Sequence, residues 1–217
     1  IGTQIERQLM EHVVRIAVVG AIKSGKSTLV NAMLRDDYLK RGAGVVTSIV
    51  TRVRRGDELK AKLFFKSWDE INDDIEAALV LFPSDEWCQP DSNFDIRRSQ
   101  DRSALEKALS ELDSRYRVAH NGLNADSVLL ASYLKGYRQV EKLVGADHSI
   151  KEFSAKEFSG HRKFVSDDAL AVYLKDIQLE IAEQELGVNI EIADCQGSDS
   201  PNPHHMAMIQ DYLLKAH

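Results

Sequence analysis

The stretch "RIAVVGAIKSGKST", Arg15 to Thr28, runs an apolar segment into a glycine-rich turn and then into a lysine and two hydroxyls. Gly20, Gly25, Lys26 and Ser27 satisfy G-x-x-x-x-G-K-[ST], and the flanks suit it. "RIAVVG" reads as a short buried strand, and "GKSTLVNAMLRDD" as a helix with Leu29, Val30, Met33 and Leu34 as its apolar stripe. At ordinary residue frequencies a chance match in a chain this long is below about one in a hundred, so the turn is read as a phosphate cradle and not as a plain helix cap. Its glycines let backbone N–H groups turn inward onto an anion, Lys26 sets a point charge against β and γ oxygens, and the Ser27 hydroxyl reaches Mg²⁺. The nucleotide-binding set is Gly20, Ala21, Ile22, Lys23, Ser24, Gly25, Lys26, Ser27 and Thr28.

Two further elements lie downstream in the order a phosphate switch requires. "DCQG", Asp194 to Gly197, closes a run of alternating apolar residues, where a D-x-x-G element puts an acid near Mg²⁺ and a glycine N–H near the γ-phosphate. Thr47 closes "RGAGVVT", directly after a segment from Tyr38 to Val46 that has neither helical nor strand period and is expected to be a mobile loop. Its hydroxyl is expected on Mg²⁺ and its carbonyl near the attacking water, with Ser48 and Thr51 as neighbouring competitors; a strand-entry role suits Thr51 better. The candidate metal ligands are thus Ser27, Thr47 and Asp194.

Working outward, "TQIERQLMEHVV", Thr3 to Val14, has helical spacing, and "TSIVTRVRRG" and "ELKAKLFF" read as two strands joined around Gly56 and Asp57. Ser67 with Glu70 forms a capping box that starts a helix at Trp68, and Ser103 with Glu106 is expected to start another that runs to Asn121 and Gly122. "DSVLLASYLKGYRQVEKLVG" comes next as a helix ending at Gly145, and Pro83 to Gln100 is the most linker-like segment. After a third capping box, Ser154 with Glu157, the period returns to two. Ile177, Leu179 and Ile181, then Val188, Ile190 and Ile192, are expected to form a hairpin about "ELG". A closing helix, "HHMAMIQDYLLKAH", carries His204 and His205; adjacent histidines point in different directions on a helix, so no metal site is assigned to them.

Composition narrows the classes. The chain has 217 residues, 43% of them hydrophobic and 29% charged, with a formal net charge of -6. That suits a folded globular domain and opposes nucleic-acid binding, the best basic patch being only "TRVRRG", Thr51 to Gly56. Cys88 and Cys195 are far apart and are read as free thiols of a reducing, cytoplasmic environment. No apolar run is long enough to cross a bilayer. Ile1 in place of Met, and the abrupt end at "YLLKAH", set the expectation of a piece of a longer protein.

"VVGAIKSGKSTLVNAML", "RGAGVVTSIV" and "IEIADCQG" together resemble the GTPase domain of the dynamin superfamily, and the phosphate loop is most similar to that of the bacterial dynamin-like proteins. The resemblance covers the first half or so of such a domain. It implies GTP and GDP as ligands with Mg²⁺ as cofactor, hydrolysis of GTP, self-association across the nucleotide face, and coupling to membrane remodelling, with peripheral membrane contact through regions outside this chain. It also implies roles for Lys26, Thr47, Lys23 and Gly197 in catalysis. The family usually has a proline before the second-switch glycine, where this chain has Gln196; the next residue, Ser198, is not the water-orienting glutamine of Ras-like GTPases. Lys23 stands where eukaryotic dynamins have a serine and guanylate-binding proteins an arginine finger, and is expected to supply that charge in cis.

The expected fold is an α/β P-loop NTPase domain of the dynamin GTPase type, incomplete, with a helical insertion. Residues 1–14 are taken as an N-terminal helix, 15–66 and 169–217 as two parts of the GTPase domain, and 67–168 as the insertion. The sheet is expected to contain the strands ending at Gly20, around Val53 and at Asp194. A T-K-x-D-like or N-K-x-D-like base-recognition element is absent from the chain, so guanine over adenine rests on the resemblance, and with the strands that should complete the sheet not read in this chain, an unpaired sheet edge is expected. The alternative is a nucleotide-sensing module with little hydrolysis that engages a protein partner through the insertion. A P-loop ATPase or kinase fits less well, because the loop threonine and D-x-x-G come in GTPase order.

Overall fold

In the computed structural model the described residues are 13–21, 24–39, 49–79, 93–111, 118–119, 122–123, 125–182 and 186–195. In chain order they form β1 (Val14–Val18), α1 (Lys26–Leu34), β2 (Val50–Arg55), β3 (Lys60–Phe65), α2 (Trp68–Leu79), α3 (Ser99–Glu111), β4 (Val118–Ala119), β5 (Gly122–Leu123), α4 (Ala125–Val140) and β6 (Ile150–Phe153). A 3₁₀ turn (Ala155–Gly160), α5 (His161–Ser166), α6 (Asp168–Ala171), β7 (Leu174–Ile181) and β8 (Ile190–Asp194) complete them.

Six strands make one mixed sheet in the order β1-β8-β2-β7-β3-β6, with β4 and β5 as a separate antiparallel pair. β1 runs parallel to β8 and β2 parallel to β7, while β8 and β2 are antiparallel. The strands expected to share the sheet, β1, β2 and β8, are neighbours, and β1 lies at an edge of the described sheet. The expected hairpin of β7 and β8 does not form: β2 lies between them, and Val188 is exposed in the connection. β2 and β3 are joined around Gly56 as expected, yet β7 separates them too. Alternation marks a half-buried strand but carries no information about its partner.

Register puts Val53, Ile192, Leu179 and Ala61 on one face, all buried. With Val30 and Leu34 of α1, Ile71 and Ile75 of α2, Leu130 and Tyr133 of α4 and Leu170 of α6 they form one contiguous core. The other face carries a cross-strand ion-pair lattice. Arg15 faces Glu191 at 3.7 Å, Arg52 pairs with Asp176, Arg54 with Glu180, and Lys62 stands 3.6 Å from Glu152. The basic patch read at Thr51 to Gly56 is thus largely matched by acids on β7 and β8.

Within 67–168 the structure departs from an all-helical reading. β6 joins the main sheet beside β3, and β4 with β5 replaces the end of the helix expected to reach Asn121. α3 starts upstream of Ser103, at Ser99, because Asp101 reaches back to accept from the Asp95 N–H (2.8 Å) and the Arg98 N–H closes a turn on the Asp95 carbonyl (2.9 Å). Ile96, in the segment read as a linker, is fully buried, its N–H on Asn72 Oδ1 at 3.0 Å. Ser154 takes the N-cap position, but its side chain caps nothing and the turn it opens is 3₁₀, not α. At the amino end Val14 belongs to β1, while residues 1–12 of the expected helix, and Cys88, lie outside the described residues.

The Ser67 and Glu70 capping box forms as expected: the Glu70 N–H donates to Ser67 Oγ (3.2 Å) and the Ser67 N–H to Glu70 Oε2 (2.9 Å). Lys175 Nζ lies 2.6 Å from Glu70 Oε1, and His148 Nε2 lies 2.8 Å from Oε2. Burial resists ionisation of Glu70, but the hydrogen bonds from Lys175 and the Ser67 N–H, with the charges of Lys175 and His148, outweigh it and draw the carboxyl from 4.5 to about 2. A depressed carboxyl contributes stability above its unfolded value and loses it as pH falls through the folded one. The wild-type melting temperature therefore falls between pH 4.5 and about 2, and Glu70→Gln is expected to lower it at pH 7 and flatten that part of the profile. A thermal melt series against pH checks this; parallel curves for the two proteins contradict it.

Candidate nucleotide site

β1 hands the chain into the phosphate loop at the end of the sheet where β8 also finishes, Val18 lying opposite Asp194. The Cys195 N–H donates to the Val18 carbonyl at 3.1 Å, closing the two strand ends together. Beyond Gly20 the Ser24 N–H turns back onto the Ala21 carbonyl at 3.2 Å. Gly25 then caps α1 with φ 92 and ψ 11, a left-handed conformation that a side chain would strain. Among the described residues no side chain caps α1 and no acid stands in its first turn, so its positive dipole end faces the loop.

Lys26 and Ser27, the first two residues of α1, turn toward the loop and toward β8. The Lys26 ammonium donates to the carbonyls of Gly20 (2.7 Å) and Ala21 (2.6 Å), so the loop backbone itself aims the charge. Ser27 Oγ donates to Asp194 Oδ2 at 2.5 Å, joining residues far apart in the sequence. Asp194 is 5% exposed, and its Oδ1 is buried with no hydrogen-bond partner among the described residues. Burial pushes the Asp194 carboxyl above its ordinary range, against the opposing pull of the Ser27 hydroxyl and the Lys26 charge. A buried carboxylate oxygen without a donor beside a serine hydroxyl is a donor set that suits a hard, oxygen-seeking cation such as Mg²⁺.

Of the residues proposed from sequence, Gly20, Ala21, Ser24, Gly25, Lys26, Ser27, Thr28 and Asp194 are brought to this one end of the sheet. Ile22, Lys23, Thr47, Gln196, Gly197, His204 and His205 lie outside the described residues. Thr51 is placed within β2, in register with Asp194. Cys195 is a free, fully buried thiol that burial first, and the Asp194 charge second, push up to about 11, so it is a packing residue beside the site and not a reactive one.

Sequence reasoning missed Asn31. The stripe expected on α1 was Leu29, Val30, Met33 and Leu34, but the helix turns Leu29 (55% exposed) and Met33 (51%) outward and buries Val30, Asn31 and Leu34. Asn31 Nδ2 donates to the Leu39 carbonyl and the Leu39 N–H donates to Asn31 Oδ1, both at 2.8 Å. Tyr38 and Leu39, expected at the start of a loop, are buried members of the core. A polar residue within an apolar stripe was the available signal.

Three comparisons bear on this arrangement. A curated relative from Caldicellulosiruptor sp. (strain Rt8B.4), an uncharacterized protein in the xynA 3′ region, is 33% identical over 63 residues, 29% of this chain and 16% of that protein. Two solved structures of an oligomerised bacterial dynamin pair, described as giving a mechanism for long-range sensing and tethering of membranes, superpose on 98% of this chain with TM-scores of 0.55 and 0.51 at 17% and 19% identity. This chain spans 23% of each of those chains, and the likeness shows the fold, that of a P-loop NTPase. Because the model of the dynamin family matches residues 16–217, nearly the whole of the chain that carries the loop and the Ser27 and Asp194 pair, this protein belongs to the dynamin family.

Proposed function

We propose that this chain is the phosphate-sensing part of a GTPase domain that binds GTP with Mg²⁺ and hydrolyses it to GDP and phosphate. The observation that carries the reading is the Ser27 to Asp194 hydrogen bond of 2.5 Å, with Asp194 Oδ1 buried beside it and without a partner among the described residues. Ser27, Asp194 and Thr47 would hold Mg²⁺, which when bound supplies charge neutralisation at the phosphate oxygens. Lys26 and the N–H groups of the loop and of the α1 amino terminus bind and orient the phosphates. The Thr47 carbonyl and the Gly197 N–H address the attacking water and the γ-phosphate, and Lys23 contributes charge in cis. Catalysis of this type is positioning and electrostatics more than covalent chemistry, which suits a site built from backbone donors, one lysine and oxygen ligands.

In this reading residues 15–66 and 169–217 supply the nucleotide site, and 67–168 pack beside it. Self-association across the nucleotide face and peripheral membrane contact in the cytoplasm complete the proposal; the oligomeric, membrane-tethering dynamin pair supports both by analogy of fold. Among the described residues no helix is long and apolar enough to cross a membrane. A second reading, nucleotide sensing with little hydrolysis, draws on Gln196 in place of proline and Ser198 in place of a water-orienting glutamine.

The test is titration of fluorescent GDP, GTP and ATP analogues, with and without Mg²⁺, into the full protein that carries this chain. Guanine-selective, Mg²⁺-dependent binding with release of phosphate is the expected result. Binding without turnover selects the second reading, and equal affinity for adenine, or none for either base, removes both.

A further inference from the structure

We propose that Thr51 is a positioning residue for the Mg²⁺ site: its hydroxyl, on the strand beside Asp194, supplies the hydrogen bond that Asp194 Oδ1 lacks and so fixes the plane of that carboxylate. This rests on the nucleotide reading above. Asp194 Oδ2 accepts from Ser27 Oγ at 2.5 Å, while Oδ1 is buried and has no partner among the described residues. Held through one oxygen, a carboxylate still turns about its Cβ–Cγ bond, because the wells of that torsion are broad. A second bond from another element removes that freedom and aims the oxygens at the cation.

Sheet register selects the donor. Asp194 has two cross-strand neighbours, Val18 on β1 and Thr51 on β2, and of these only Thr51 carries a hydroxyl. Residues directly opposite in an antiparallel pair issue from the same face. For this pair it is the face that α1 covers: Val53 and Ile192, two residues along each strand and again opposite, are buried in one core with Val30 and Leu34 of α1. Ser27 reaches Asp194 from that same helix. The Cβ atoms of such a pair lie about 4.5–5.5 Å apart, so rotation of Thr51 about its Cα–Cβ bond puts Oδ1 within reach of the hydroxyl while the strand stays in place. On its other side Thr51 stands opposite Ile177 of β7, a buried apolar residue whose side chain accepts nothing. The nearby Lys26 ammonium is committed to the Gly20 and Ala21 carbonyls, and the Ser27 hydroxyl to Oδ2. A threonine present only for its β-branched shape would give way to valine without consequence.

The experiment titrates Mg²⁺ into the full protein with a fluorescent GDP analogue and reads the Mg²⁺ concentration that gives half its effect on GDP affinity, beside the affinity in EDTA. Wild type, Thr51→Val and Thr51→Ser are compared; valine keeps the branched shape and strand preference and removes only the hydroxyl. Thr51→Val is expected to raise that Mg²⁺ concentration about tenfold, the usual cost of losing a hydrogen bond to a metal-ligating carboxylate, with GDP affinity in EDTA within about twofold of wild type. Thr51→Ser, which keeps the donor, is expected to stay within about threefold. An unchanged Mg²⁺ requirement in Thr51→Val overturns the proposal. So does a loss of affinity that is equal with and without Mg²⁺, or a serine variant as impaired as the valine one. Should Thr51→Val not fold, Thr51→Ala, which also lacks the hydroxyl, is read against Thr51→Ser by the same criteria. Wild type that binds no GDP, or binds it without regard to Mg²⁺, refutes the nucleotide reading itself. That result is distinct from a wild type and a valine variant that respond to Mg²⁺ alike.

Discussion

Replacing Lys26 by alanine is expected to reduce GTP and GDP affinity by about a hundredfold or more and to abolish turnover, while the protein stays folded. The ammonium rests on the Gly20 and Ala21 carbonyls, at 2.7 and 2.6 Å, so it is held at the loop and its removal opens no cavity in the core. A charge-assisted contact to phosphate in a partly screened loop contributes roughly 2–4 kcal/mol, which at about 1.4 kcal/mol per decade gives that hundredfold. Calorimetric titration of GTP and GDP with Mg²⁺ into wild type and Lys26→Ala, beside their thermal melts, checks it. Wild-type affinity in the variant would place the nucleotide elsewhere and leave the glycine turn as a helix cap.

The second large effect is on stability and lies far from that loop in the sequence. Gly136, in α4, lets the helix backbone lie directly on α6. A Cβ there would stand 1.8 Å from the Ala169 carbonyl oxygen, 2.8 Å from its carbon and 2.9 Å from Tyr173 Cε2. Backbone cannot yield as a flexible side chain does, so the two helices must part. Their separation disturbs the buried tyrosines: Tyr133, whose hydroxyl lies 2.6 Å from Asp74 Oδ2 and 3.1 Å from the Val172 carbonyl, and Tyr173, edge-on to it at 5.1 Å. Overpacking of this kind costs about 3 kcal/mol, and Gly136→Ala is expected to lower the melting temperature by roughly 6–12 °C despite the better helix propensity of alanine. Differential scanning calorimetry gives the answer, and an unchanged or raised melting temperature would show that α4 and α6 do not meet this closely.

The two effects differ in how far the sequence announces them. The expected Lys26 effect rests on contiguous residues: Gly20, Gly25, Lys26 and Ser27 are read as acting through backbone geometry that a short segment sets by itself, and in the structure they follow one another from the end of β1 into α1. Asp194 was legible for the same reason, an acid at the end of an alternating apolar run. Gly136 was not, since nothing near it in the sequence announces Ala169 as a neighbour. Asn31 was half legible, a polar residue among Val30 and Leu34 whose partner Leu39 is close in sequence, but the roll of α1 about its axis decided that it points inward and Leu29 outward.

By itself, then, the sequence determined the local chemistry: a strand, a glycine turn and a helix that present a lysine and a serine, the Ser67 and Glu70 capping box, and an acid at a strand end. These depend on dihedral preferences and hydrogen bonds within a few residues. Tertiary structure alone decided the partners. It put β2 between β7 and β8, drew Ile150–Phe153 into the sheet, set Arg52 and Arg54 against Asp176 and Glu180, and carried Asp194 to within 2.5 Å of Ser27. Those choices rest on the burial of one shared apolar face by residues from the whole chain, and periodicity, which records how much of a strand is buried, does not record against what.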